Sequence, residues 1–144
     1  MRILGLDFGR RRIGLAISDA SETLARPLTT LTRANGESER ATLARVLAEI
    51  ARLAAEDDGL GGIVVGVPAH LDGSPTEETT RVRAFMDALR RETSIRVSGQ
   101  DERLSSREAE SRLALGERDW RKRKERLDAA TAAVILQDYL DRRT

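Results

Sequence analysis

The chain contains no cysteine, which excludes disulfides, thiolate metal sites and a cysteine nucleophile. Aromatic residues make up only 3% of it, so its core must be built from Leu, Ile, Val and Ala. One histidine is present, His70, so a His-dependent triad is excluded unless His70 is its member; its place beside Asp72-Gly73 is that of a turn residue. No apolar run approaches the roughly 18 residues that a membrane span needs. The opening Met1-Arg2-Ile3-Leu4-Gly5-Leu6 is too short and too soon acidic for a signal peptide, and a cytoplasmic protein with no membrane partner is expected. Lysine is scarce as well, with only Lys122 and Lys124 among 25 basic residues. The arginine excess suits phosphate recognition, although GC-rich coding would produce the same bias.

What remains is a chain of 144 residues with a net charge of +1, sized for one domain over 1–144. Two apolar strands open it, one ending Leu6-Asp7-Phe8-Gly9 and the other running Ile13 to Asp19, with a tight hairpin at Arg10-Arg11-Arg12 between them. A third strand is expected over Leu24 to Thr32. A helix follows from the polar stretch Asn35–Ser38 to about Glu56, with Leu43, Leu47, Ile50 and Ala54 at helical spacing. Ile63-Val64-Val65-Gly66-Val67, closed by Pro68, has the wholly apolar pattern of a buried parallel strand. Val82, Phe85, Met86 and Leu89 mark one face of a second helix, and Ile95 to Asp101 alternates like a peripheral strand. Ser105-Ser106-Arg107-Glu108 has capping-box spacing for a short helix, and Leu127 to Asp141 forms the last one. The order βββαβαβα implies an α/β fold, a five-stranded mixed sheet with helices on its faces.

Three acids look misplaced in this frame. Asp7 lies in a strand that is apolar on both faces, where a carboxylate costs several kcal/mol unless a metal or cation pairs with it. Asp128 shares its helix stripe with Ala132, Ile135 and Tyr139, so it leans toward the sheet; the alternative is a first-turn aspartate that favours the helix dipole. Asp101 and Glu102 end the peripheral strand, and because neighbouring strand residues face opposite ways, only one of them can join Asp7. Strand C-terminal ends gather at one edge of such a sheet. Three carboxylates there would repel one another unless Mg²⁺ or Mn²⁺ lay between them. Such ions suit an in-line phosphoryl displacement.

Asp7-Phe8-Gly9-Arg10-Arg11-Arg12-Ile13-Gly14-Leu15-Ala16-Ile17-Ser18-Asp19 resembles the opening of the bacterial YqgF/RuvX proteins. Val65-Gly66-Val67-Pro68-Ala69-His70-Leu71-Asp72-Gly73-Ser74 resembles their second block. Asp101-Glu102-Arg103-Leu104-Ser105-Ser106 resembles the third, and Leu127-Asp128-Ala129-Ala130-Thr131-Ala132-Ala133-Val134-Ile135-Leu136 the fourth. The resemblance spans the chain in order. It implies a ribonuclease-H-like fold related to the RuvC Holliday-junction resolvases, and a nuclease that processes the 5′ end of precursor 16S ribosomal RNA. By position it carries catalytic and metal-binding roles to Asp7, Asp128 and Glu102, or Asp101 in place of Glu102. Two departures from the RuvC resolvases stand out. The strand Ile63 to Val67 has no counterpart of their fourth-strand acid, and Thr131 occupies the spacing of their second helix acid.

The basic residues are expected to meet nucleic acid. Arg118, Arg121, Lys122, Arg123, Lys124 and Arg126 precede the Asp128 helix, and Trp120 among them could stack on a base; a solvated charged surface is the plainer reading. Arg10, Arg11 and Arg12, with Arg103, could hold phosphate beside the acids or be exposed turn residues. The leading expectation is therefore a Mg²⁺- or Mn²⁺-dependent nuclease, monomer or homodimer, acting on precursor rRNA and on single-stranded DNA. Holliday-junction or branched-DNA resolution is the alternative. Two readings from other classes remain. One is a nucleotide-binding ATPase-like lobe, since sugar kinases and actin-like ATPases also open on an Asp-x-Gly hairpin; the other is a non-catalytic nucleic-acid-binding module.

Overall fold

A computed structural model of the chain describes residues 1–103 and 128–143. Five strands form one sheet: β1 (Arg2–Phe8), β2 (Arg12–Ser18), β3 (Ala25–Thr32), β4 (Leu60–Ala69) and β5 (Val97–Arg103). Helix α1 (Glu39–Ala54) joins β3 to β4, α2 (Glu77–Glu92) joins β4 to β5, and α3 occupies residues 128–142. The strand order is β3-β2-β1-β4-β5. β1 pairs antiparallel with β2 and parallel with β4, and β5 continues parallel to β4. The C-terminal ends of β1, β4 and β5 therefore share one edge, as the expected mixed sheet requires.

β1 is central because both of its faces are covered. Leu4, Leu6 and Phe8 enter the core shared with Val46, Ile50 and Leu53 of α1 and Val82, Phe85, Met86 and Leu89 of α2. Ile3 enters a second core with Val64 of β4 and Ala132, Ile135, Leu136 and Leu140 of α3. The period-two alternation of a strand thus deals its residues to two layers. One layer holds α1 and α2, and the other holds α3.

Local signals explain where the elements begin. Ser38 caps α1 by accepting from the Ala41 amide, and Thr76 with Thr79 closes a reciprocal capping box on α2. Strand limits depart from the expected ones. β4 starts earlier, at Leu60 opposite Arg2, because Gly59 turns the chain at a φ of 62° and the irregular register beside Arg2 absorbs the following glycines. It also runs past Pro68, which pairs with Glu102 of β5. The β1 ladder has already ended at Leu6↔Val65, so proline lies where one side of the strand has run out of partner. β5 is set later than the alternation suggested, reaching Glu102 and Arg103. The capped segment expected after Ser105 lies outside the described residues.

Candidate active site

Alternation along β1 decides where Asp7 points. Ile3 belongs to the α3 core, and a Cβ built on Gly5 would meet Leu136 Cβ at 2.8 Å. Asp7, in phase with both, therefore faces α3, while Leu6 and Phe8 on either side face the opposite core. Asp7 is half-buried.

Its cross-strand partner on β2 is Gly14, whose side-chain position lies on the same face. A Cβ there would meet the Asp128 carbonyl oxygen at 2.0 Å and the Ala129 nitrogen at 3.0 Å. The described start of α3 thus rests directly on the backbone beside Asp7, an approach that only glycine allows. Asp128 is buried, with 2% of its surface exposed.

On the other side of Asp7 the parallel ladder reaches Leu6↔Val65, so the next residue of β4 is Gly66. A Cβ on Gly66 would lie 2.9 Å from Oε2 of Glu102 and 2.6 Å from Cδ1 of Ile135. The Glu102 carboxylate therefore overhangs Gly66 on the α3 face. Asp7 stands between two glycines, one roofed by Asp128 and the other by Glu102. Adjacent strands are about 4.8 Å apart, so the backbone of Asp128 and the carboxylate of Glu102 overhang positions one strand to either side of Asp7.

Asp101 lies on the other side of the sheet. It is in phase with Gly99, whose built Cβ would meet Val67 and Met86, and it lines an open hollow with Met86, Asp87 and Arg90 of α2. The pleat separates the pair that the sequence left open: Glu102 shares the face of Asp7 and Asp128, and Asp101 does not.

The donor set is all carboxylate oxygen, which fits a hard divalent cation, and the two glycines let α3 and Glu102 approach the sheet beside Asp7. Among the described residues, however, no three His, Cys, Asp or Glu side chains close into a ready cation cage. The acids share a face and an edge but fall short of the tight convergence that the sequence suggested.

Of the expected basic contacts, Arg10 and Arg11 are exposed and Arg12 is half-buried. Arg10 is engaged by Glu78 of α2, with Nε 2.5 Å from Oε1. Arg103 closes β5. Arg118, Trp120, Arg121, Lys122, Arg123, Lys124 and Arg126 lie outside the described residues. His70 is exposed in the turn after β4, where its amide donates to the Ser74 carbonyl.

The sequence reading missed Gly14 and Gly66, although a lone glycine inside an apolar strand signals close backbone approach. It also missed Glu78 and Arg81. Arg81 donates through Nη2 to the Phe8 carbonyl at 2.9 Å and to Glu78 Oε2 at 2.9 Å. Burial raises the Glu78 carboxyl, but hydrogen bonds from Arg81 and Arg10 outweigh it and hold the group below its ordinary range.

Comparison with known proteins places the chain in a family. The family model RuvX, described as Holliday junction resolvase, matches residues 1–142. A protein of Anaeromyxobacter sp. (strain Fw109-5) is 43% identical over 99% of this chain and 98% of its own length. One of Chloroflexus aggregans is 44% identical over 98% and 94%. Both bear the name "Putative pre-16S rRNA nuclease". Among solved structures, Thermus thermophilus RuvC in complex with a Holliday junction substrate aligns with a TM-score of 0.53 at 14% identity, covering 99% of this chain and 95% of that one. The fowlpox virus Holliday junction resolvase aligns at 0.54 and 15% identity over the whole of both chains. These likenesses establish the ribonuclease-H-like fold. With a family model spanning nearly every residue and relatives above two-fifths identity, the chain belongs to the RuvX family.

Proposed function

We propose that this chain is a divalent-metal-dependent nuclease that hydrolyses phosphodiester bonds, with the 5′ end of precursor 16S ribosomal RNA as its substrate. The observation that carries the reading is the placement of Asp7 between Gly14 and Gly66, with the backbone of buried Asp128 over one and the Glu102 carboxylate over the other. The names of the full-length relatives support the choice of RNA.

Asp7, Glu102 and Asp128 would hold Mg²⁺ or Mn²⁺, which supplies Lewis-acid stabilisation of charge on the entering and leaving oxygens of the phosphate. Each residue brings a different constraint. Asp7 is fixed by the central strand, so it sets the position of the scissile phosphate. Asp128 lies on a helix clamped to the sheet, in a buried setting where electrostatic interactions are stronger than in water. Glu102 reaches from an edge strand on a longer arm and can adjust as phosphate enters. Ile135, packed beside Glu102 over Gly66, keeps water from the inner side of the group. Exposed Arg10 and Arg11 and the stretch from Trp120 to Arg126 would hold the phosphate backbone and an unpaired base.

Asp7→Asn keeps the side-chain shape and removes its charge. It should abolish metal-dependent cleavage of labelled precursor RNA while the circular dichroism spectrum and cooperative unfolding persist. Cleavage by that variant at near the wild-type rate would falsify the assignment. Neutralising Arg121, Lys122, Arg123 and Lys124 together should weaken RNA binding and flatten its salt dependence by close to one log-log unit per lost phosphate contact. Unchanged affinity and slope would leave that stretch as solvated surface.

A second reading, cleavage of branched DNA, is favoured by the description of the matching family model. β4 carries no carboxylate, so the acid set differs from that of the RuvC resolvases. Single-stranded RNA, duplex and four-way junction, each with Mg²⁺ and with Mn²⁺, separate the two readings by which is cut fastest.

A further inference from the structure

The described residues around the acids include a second layer on the far side of the sheet, and it converges on β1. β1 pairs with β4 from Arg2↔Leu60 to Leu6↔Val65, so Asp7 and Phe8 lie beyond that ladder and are paired on one side only, with Gly14 and Ile13 of β2. At this point the first turns of α2 close in. Arg81 donates to the Phe8 carbonyl, one residue after Asp7. Its guanidinium lies 4.5 Å from the centre of the Phe8 ring, and that ring stacks on Phe85 of α2 at 3.9 Å.

Glu78 holds Arg81 in place, accepting from Nε at 3.0 Å and Nη2 at 2.9 Å. Its other oxygen accepts from Arg10 in the β1–β2 hairpin. One turn of helix thus grips the residue after Asp7 and the loop that follows. The neighbouring Thr79, which is buried, donates to the Pro68 carbonyl at the end of β4. The end of α2 that carries these groups therefore fastens the ends of both central parallel strands.

We propose that Arg81 is a positioning residue for Asp7, acting through the Phe8 carbonyl and ring with Glu78 as its anchor. The inference rests on the reading of Asp7 as a metal-binding acid. Arg81 works from the face opposite the carboxylates and touches neither substrate nor ion. Its effect is to fix the backbone from which Asp7 projects. With a ladder on one side only, the end of β1 can tilt and carry the Asp7 side chain with it, and a misplacement of about 1 Å can cost roughly a hundredfold in rate. Three grips on the Phe8 residue (hydrogen bond, cation over ring, ring on ring) restrict that tilt.

The test compares wild type, Asp7→Asn, Arg81→Met, Arg81→Lys and Glu78→Gln as full chains. Each is titrated with MnCl₂ by calorimetry without nucleic acid, then assayed for kcat, KM and thermal unfolding. Arg81→Met should weaken Mn²⁺ binding and lower kcat by about ten- to a hundredfold, with KM little changed. Arg81→Lys should recover part of both, because an ammonium keeps the charge over the ring but lacks the guanidinium fork. Glu78→Gln retains the shape of the anchor and should show a smaller loss of the same kind; it stands in if Arg81→Met does not fold. Lower unfolding temperature with unchanged Mn²⁺ affinity and kcat would make Arg81 purely structural and overturn the proposal. A raised KM with a flattened salt dependence would make it a substrate contact, which also overturns it. Failure of the metal reading itself shows separately, as Asp7→Asn binding Mn²⁺ and cleaving like wild type, and removes this inference with it.

Discussion

At the scale of single residues, the site depends on which way two adjacent acids face. The pleat puts Glu102 over Gly66 and Asp101 beside α2, so the two should respond differently to loss of charge. Glu102→Gln should reduce cleavage by about a hundredfold or more, the scale of losing one electrostatic contact to a transition state, whereas Asp101→Asn should leave the rate nearly unchanged. The reverse pattern would reject Glu102 as the ligand. Gly66→Ala probes the same point by volume. Its Cβ would press on Glu102 Oε2 and Ile135 Cδ1, both at the tips of flexible side chains, so cleavage should fall while the unfolding temperature hardly moves. Sequence alone carried the alternation that splits Asp101 from Glu102, but not its phase. Phase depends on the register between β4 and β5, and pairing partners are not written in either strand.

At the scale of elements, periodicity made the helices legible and short-range turn chemistry set their limits. Val82, Phe85, Met86 and Leu89 lie on the buried side of α2 as their spacing requires. The ends of β4 and β5 were less legible because they are fixed by ladder partners and by the bulge near Arg2. The β2–β3 turn offers a pH test. Asp19 accepts from the Thr23 amide at 2.7 Å, the Leu24 amide at 3.1 Å and the Ser21 hydroxyl at 2.8 Å. These bonds, that of Thr23 first, lower its carboxyl below the ordinary value. A depressed carboxyl contributes stability that is complete above its unfolded pKa and lost as pH falls through the folded one. Asp19→Ala should therefore unfold at a lower temperature than wild type at neutral pH. The difference should narrow as pH drops below about 4, the ordinary range of an aspartate. Thermal melts of both proteins across that range check it; a gap that widens in acid would refute the role of the carboxylate.

At the scale of the whole molecule, the five-stranded mixed sheet and the helices on its faces follow from the βββαβαβα pattern and the apolar faces. The closeness of the layers does not, because it is set by an absent side chain. A Cβ at Gly14 would meet the Asp128 carbonyl at 2.0 Å, and a carbonyl cannot swing aside as a side-chain tip can. Gly14→Ala should cost about 3 kcal/mol or more, the upper end for overpacking, and should abolish cleavage by lifting α3 from the sheet. Chemical denaturation alongside the cleavage assay measures both losses. Near-native stability would mean that α3 can slide without cost.

That contact also has a consequence in time. Asp7 belongs to the first described strand and Asp128 to the last described helix, so Asp7 leaves the ribosome well before Asp128. Strands and first helices can assemble into a sheet carrying Asp7 and Glu102 while α3 is still being made. Only when that helix settles on Gly14 do the three acids share one face. The proposed nuclease is thus assembled without its third acid, and a growing chain poses no hazard to the RNA around it until synthesis has passed Asp128.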